Sequence, residues 1–145
     1  MLLSLAPDLI TSMPTEYTIY PQWSLVISRG SGVFTQADFW DHVSRMRADP
    51  EFNPDFNQMV DCRAFAAVEL TSGQMADLAS RSIFGARSRR AFIVASDVQH
   101  GLARMFATYR EIKAGQAVMV FHEMSAALSW LGLAPDLFSD TAVKR

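Results

Sequence analysis

The sequence predicts an α/β domain with a mixed, mostly parallel five-stranded sheet layered with four helices, in the order β-β-α-β-α-β-α-β-α. Three observations carry this expectation. Short, continuously apolar runs recur along the chain, longer segments between them space their apolar residues three and four apart, and hydroxyl residues stand where those longer segments begin. Continuous apolarity means burial on both faces, as in a parallel sheet covered by helices.

The elements follow in order. Tyr17 to Tyr20 and Leu25 to Ser28 are β-rich runs split by Pro21, Gln22 and Trp23, which reads as two antiparallel strands joined by a turn. From Thr35 to Ala48, Phe39, Val43 and Met46 fall at helical spacing beside Trp40, and Asp49-Pro50 stops the helix because proline disfavours the helical conformation before it. Glu51 to Phe56 is a loop around Pro54, after which Gln58, Met59 and Val60 make a compact strand ending at Asp61. Met75, Leu78 and Ala79 mark a helix from Thr71 to Ser82, and Ala91 to Ala95 is the next strand. Val98, Leu102, Met105, Tyr109 and Ile112 then stripe a long helix ending at Gly115. Ala117 to Phe121 is the fifth strand, and Ala127, Leu128 and Leu131 belong to the last helix. Right-handed crossovers leave few ways to assemble this order. Met59, Val60, Phe92, Val94, Val118 and Val120 are expected to be buried in the sheet, covered by Phe39, Val43, Leu102, Met105 and Leu128.

At 145 residues the chain is long enough to bury a core without disulfide or metal staples. The expected organisation is a leader at 1–14, one domain at 15–133 and a loosely attached tail at 134–145, with Met13 as an alternative start to Met1. Pro7, Asp8 and the lack of a basic start exclude a signal peptide in the leader, and no run is long enough to span a membrane. A net charge of −2 creates no field that would gather a polyanion, so nucleic acid is not an expected partner. Cys62 is the one cysteine, which rules out an intrachain disulfide and a cysteine metal site and fits a cytoplasmic location.

Ligands of open α/β sheets bind beyond the carboxyl ends of the strands. The candidate ligand rim there is Asp61, Arg63, Ser96, Asp97, His100 and His122, near Arg29, Ser31 and Glu123. An enzyme would use Ser96, His100 and Asp61 as a triad, but Val94 and Val98 replace the glycines of a nucleophile elbow. No catalytic residue is assigned. Gly30-x-Gly32 lacks the third glycine of the dinucleotide fingerprint, since Thr35 stands there, and no phosphate-loop motif occurs. His42, His100 and His122 lie on separate elements, so neither a metal nor a cofactor is expected. Arg63 could activate Cys62 by lowering its pKa, against the plainer reading of a buried strand cysteine. Arg81, Arg87, Arg89 and Arg90 form a locally basic run that reads as a solvated loop or as a holder of a phosphate or acidic partner. Trp23, Trp40 and Trp130 read as packing residues.

Several segments together resemble bacterial STAS-like proteins: Ala48-Asp49-Pro50-Glu51-Phe52, the strand Met59-Val60-Asp61-Cys62-Arg63, the helix Gly101-Leu102-Ala103-Arg104-Met105, and Val120-Phe121 through Ala127-x-x-Trp130-Leu131. That group is similar in fold to anti-sigma-factor antagonists and is also described as similar to CRAL-TRIO lipid-exchange domains. In the antagonists a strand-end Asp precedes an Asp-Ser-Ser-Gly motif that opens a helix and carries a regulatory phosphate. Asp61 matches the strand-end acid and Thr71-Ser72-Gly73 the Ser-Ser-Gly portion, while Leu70 replaces the second acid. The resemblance thus implies Thr71 and Ser72 as regulatory positions, and the lipid-exchange likeness implies an apolar cavity. Thr71-x-x-Gln74 is also a capping box, repeated at Ser96-x-x-Gln99 and, with an acid, at Thr35-x-x-Asp38.

The reading is a regulatory module acting through contact with a protein partner. Its alternative is a small-molecule or lipid-binding domain with a pocket at the strand carboxyl ends, taking an apolar or anionic ligand. A homodimer is compatible with either.

Overall fold

The structure is a computed structural model that describes residues 15–139. The leader at 1–14, the choice between Met1 and Met13, and the last part of the tail lie outside the described residues.

Among the described residues seven strands form, β1 (Thr15–Tyr20), β2 (Leu25–Gly30), β3 (Gly32–Thr35), β4 (Asn57–Asp61), β5 (Phe65–Glu69), β6 (Arg89–Ile93) and β7 (Ala117–Phe121). Four α-helices accompany them, α1 (Gln36–Ala48), α2 (Ser72–Ser80), α3 (Asp97–Ala114) and α4 (Met124–Trp130). The main sheet has five strands in the order β1-β2-β4-β6-β7. Only the β1–β2 pair is antiparallel; β2–β4, β4–β6 and β6–β7 are parallel. This is the expected mixed, mostly parallel sheet.

Strand parity divides the core. Leu25, Ile27, Met59, Ala91 and Ile93 point to one face and pack under α4 through Ala127, Leu128 and Leu131. Val26, Ser28, Gln58, Val60, Arg90 and Phe92 point to the other, where α1, α2 and α3 lie. Three helices therefore share one face, and α4 covers the other with help from the tail. Tyr20 meets the Phe138 ring at a tilt and Trp23 meets it edge to face, with ring centroids 5.3 and 5.5 Å apart. Leu133 and Leu137, in the segment after α4, pack against the same cluster.

Each long helix begins at the predicted hydroxyl. Thr35 and Thr71 each close a full capping box, with Asp38 and Gln74. Ser96 caps α3 by accepting from the Gln99 N–H, but the Gln99 side chain reaches past it to the amide of Ala95 and donates to the Phe65 carbonyl. α3 ends at Gly115, whose φ of 65° is the left-handed conformation that glycine adopts without steric cost. Arg45 ties α1 to β1 by donating to the Thr15 carbonyl and hydroxyl, at 3.0 and 2.9 Å.

Two features depart from the expectation. β3 and β5, which the expected element order does not contain, pair in parallel as a separate two-stranded sheet beyond the carboxyl ends of β2 and β4. β6 begins at Arg89, so two arginines assigned to a solvated loop sit inside a strand. Met59, Val94 and Val118 are buried as expected and Val120 is not; Val60, Phe92 and Leu102 are likewise only half-buried. These three residues border a cavity.

Candidate ligand cavity

A cavity of about 140 Å³ lies between the main sheet and α1, α2 and α3. Val60 and Phe92 of the sheet, Phe39 of α1, Leu78 of α2, and Leu102 and Phe106 of α3 supply apolar walls. At the strand carboxyl ends the small sheet closes it with Phe34 and Phe65, whose rings meet at 5.1 Å. Gln99, which also borders the cavity, holds β5 of this lid to the start of α3 by donating to the Phe65 carbonyl at 3.1 Å. The lid was missed in the sequence because β3 and β5 are short and lack a long apolar run. Their β signal lay in Val33-Phe34 and Val68.

Polar side chains enter the cavity only from particular places. Ser28 of β2 bonds His42 Nε2 on α1 at 2.8 Å and accepts from Gln58 Nε2 at 2.9 Å. All three are buried, and His42 Nδ1 has no partner among the described residues. Burial, helped by the nearby Arg45, pushes the His42 imidazole down to about 4, so it is neutral at neutral pH. Arg90, on the same face of β6, is also buried. Its guanidinium lies 5.1 Å from the ring centroids of both Phe84 and Phe106 and donates to Ser82 Oγ at 2.8 Å.

Cys62 lines the cavity too. Burial and then the adjacent Asp61 push its thiol up to about 12, so it remains protonated, which fits the plainer reading of a buried strand cysteine and not a thiolate activated by Arg63. Arg63 is already committed. It forms a two-pronged ion pair with Asp61, both bonds at 2.9 Å. Burial pushes the Asp61 carboxyl up, but the bonds from Arg63 outweigh it and the net shift is downward.

The six rim residues do not line the cavity. Parity explains Asp61, which follows the inward-facing Val60 and so points away, while Arg63 lies exposed in the turn after β4. Ser96 and Asp97 are spent on the exposed start of α3. His100 and His122 come together as a parallel stack with centroids 5.4 Å apart. Among the described residues no side-chain hydrogen bond joins Ser96, His100 and Asp61; the His100 N–H donates to the Ser96 carbonyl at 2.9 Å as part of the first turn of α3. Thr71 and Ser72 are exposed at the start of α2, and the Thr71 hydroxyl accepts from the Gln74 N–H at 3.1 Å.

Among solved structures, the chain is similar to an uncharacterised protein of the DUF3478 family with a SpoIIAA-like fold from Shewanella loihica PV-4. The TM-score is 0.56 at 15% identity, and the match covers 81% of this chain and 93% of that one. The architecture is therefore the SpoIIAA-like, or STAS-like, α/β fold; at this identity the likeness speaks for the fold alone. No family model matches the chain, and no curated protein does. Among the described residues no helix is long and apolar enough to cross a membrane.

The buried histidine makes stability pH-dependent in a definite direction. The unfolded chain's His42 takes up a proton near 6.5 and the folded chain's only near 4, so the unfolded state binds more protons throughout that window. Stability then falls as pH drops from about 6.5 to about 4, by up to about 3 kcal/mol from this group. Denaturant unfolding at a series of pH values should show this slope in the wild type and a flatter one in His42→Gln. An NMR titration placing His42 near 6.5 would contradict the buried network.

Proposed function

We propose that this domain binds a small, mostly apolar molecule in the cavity beneath α1, α2 and α3. The observation that carries the reading is the cavity itself. Protein interiors pack as densely as organic crystals and leave few voids larger than a water molecule. The space is lined mostly by apolar side chains, which water solvates poorly and which an apolar guest would cover. An apolar space of roughly this size admits a benzene-sized guest. The pocket was expected at the strand carboxyl ends; it starts there, under Phe34 and Phe65, and extends inward between sheet and helices.

The test is a thermal-shift series with indole, toluene and short alkanols. Ligand at about 100 times its dissociation constant stabilises the folded state by about 2.7 kcal/mol, which appears as a raised melting temperature. Ala103 is buried and borders the cavity, so Ala103→Leu should fill part of it, keep or raise the melting temperature and abolish the ligand response. No shift with any apolar probe, or an equal shift in Ala103→Leu, would count against the reading.

A second reading, contact with a protein partner controlled at Thr71 or Ser72, is supported by the exposure of both residues at the start of α2. A phosphate there would meet free helix N–H groups and the positive end of the helix dipole, leaving the fold intact while changing the surface charge. Thr71→Ala should cost about 0.5–2 kcal/mol through loss of the cap alone. Ser72→Asp should melt no lower than the wild type yet change which partners co-purify. An unchanged partner set removes the regulatory reading and leaves Thr71 as a cap.

A further inference from the structure

Two arginines are buried in the layer between the main sheet and α3, and they are treated differently. Arg110 is fully engaged. Its Nε donates to Gln116 Oε1 at 2.7 Å, and its terminal nitrogens donate to the carbonyls of Ala79 and Phe84 at 3.0 and 3.3 Å. It closes a structural junction between α3, α2 and the loop before β6. Arg90 is 5% exposed and makes a single side-chain hydrogen bond, to Ser82. Its Nε has no partner among the described residues, and no carboxylate there pairs with it.

That arrangement is unusual for a guanidinium. It carries five N–H donors in a planar fork and is costly to bury without an anion. The faces of Phe84 and Phe106 partly compensate the charge, but π-faces leave the in-plane N–H groups unsatisfied. Burial and the proximity of Arg110 push Arg90 down to about 9, so it is still cationic at neutral pH. Nearby Arg110 adds positive charge to the same region. Ser82, Phe84, Phe106 and Arg90 all border the cavity.

We propose that the cavity takes an apolar molecule bearing a carboxylate, with Arg90 as the group that binds the anion. The proposal rests on the ligand-binding reading of the same cavity and adds the chemical class of its ligand. A carboxylate accepts two parallel N–H bonds from a guanidinium and supplies the missing countercharge. The Ser82 hydroxyl is placed beside the same fork. The apolar part would then lie along Phe92, Leu102 and Val60 toward the lid. The volume suits an aromatic acid or an aliphatic acid of about six to eight carbons rather than a long acyl chain.

The experiment is isothermal titration calorimetry at pH 7 with phenylacetate against phenylacetamide, and hexanoate against hexanamide, on the wild type and on Arg90→Met. In each pair the apolar part is shared and only the charge differs, and the two pairs distinguish an aromatic from an aliphatic guest. The proposal expects at least one carboxylate to bind the wild type tenfold or more tightly than its amide, and that preference to shrink to within about twofold in Arg90→Met. Arg90→Lys, which keeps the charge without the fork, should retain part of it. Equal binding of acid and amide to the wild type overturns the anion assignment while leaving the cavity reading standing. Binding of neither member of either pair, nor of the neutral apolar probes, overturns both. A preference that persists in Arg90→Met places the anion elsewhere and overturns the role of Arg90. If Arg90→Met fails to fold, the wild-type comparison still decides whether the cavity selects an anion, and the acid-to-amide ratio in Arg90→Lys decides the role of Arg90: an undiminished ratio overturns it.

Discussion

Ser28, Gln58 and Arg90 point from three neighbouring strands into the face that α1, α2 and α3 cover, and their polar groups must be answered inside the protein. A parallel sheet with helices on it ordinarily fills these positions with branched aliphatic side chains that pack flush against the helices. Polar residues there require partners, because an unpaired buried donor or acceptor costs about 1–3 kcal/mol. Ser28 is answered by His42 and Gln58, and Arg90 partly by Ser82 and two aromatic rings. The side chains that meet these demands hold the helices at the distance that leaves the cavity. On the opposite face no such demand exists, and Leu25, Met59, Ile93 and Leu128 close up against one another.

The two faces thus divide the work of the domain. The α4 face is a plain apolar core, sealed at its edge by Tyr20, Trp23 and Phe138, and supplies stability. The other face gives up some packing for a space with a defined chemistry. The small β3–β5 sheet closes that space at the strand carboxyl ends, tethered through Gln99 rather than by a continuous core. A short two-stranded sheet is marginal on its own and relies on its packing against the rest. The lid is accordingly the element with the least independent means of staying closed.

Periodicity made most of the fold legible in the sequence. Each strand of the main sheet and each helix is a segment whose apolar spacing differs clearly from its neighbours, and the starts at Thr35, Thr71 and Ser96 are fixed by local hydrogen bonding that needs no tertiary context. The candidate site was far less legible. Reading β6 from Ala91 left Arg90 in a basic loop, whereas a strand beginning at Arg89 puts Arg90 on the face of Phe92. The rule that ligands sit beyond strand carboxyl ends led to Asp61, Arg63, Ser96, Asp97, His100 and His122, residues that cap, pair and stack at the surface around the lid. The residues of the cavity are instead ordinary apolar side chains that any core would hold. What distinguishes them is the space they leave, which no local pattern records.

The central claim is that the helix-covered face encloses an apolar cavity in the folded protein. Xenon-pressurised crystals test it most directly, since xenon enters apolar cavities of about 150 Å³ without needing hydrogen bonds. The account predicts a xenon atom in the space bounded by Val60, Phe92, Leu102 and Phe106, with none between the sheet and α4. Side chains collapsed into that space, with no xenon bound there, would contradict it.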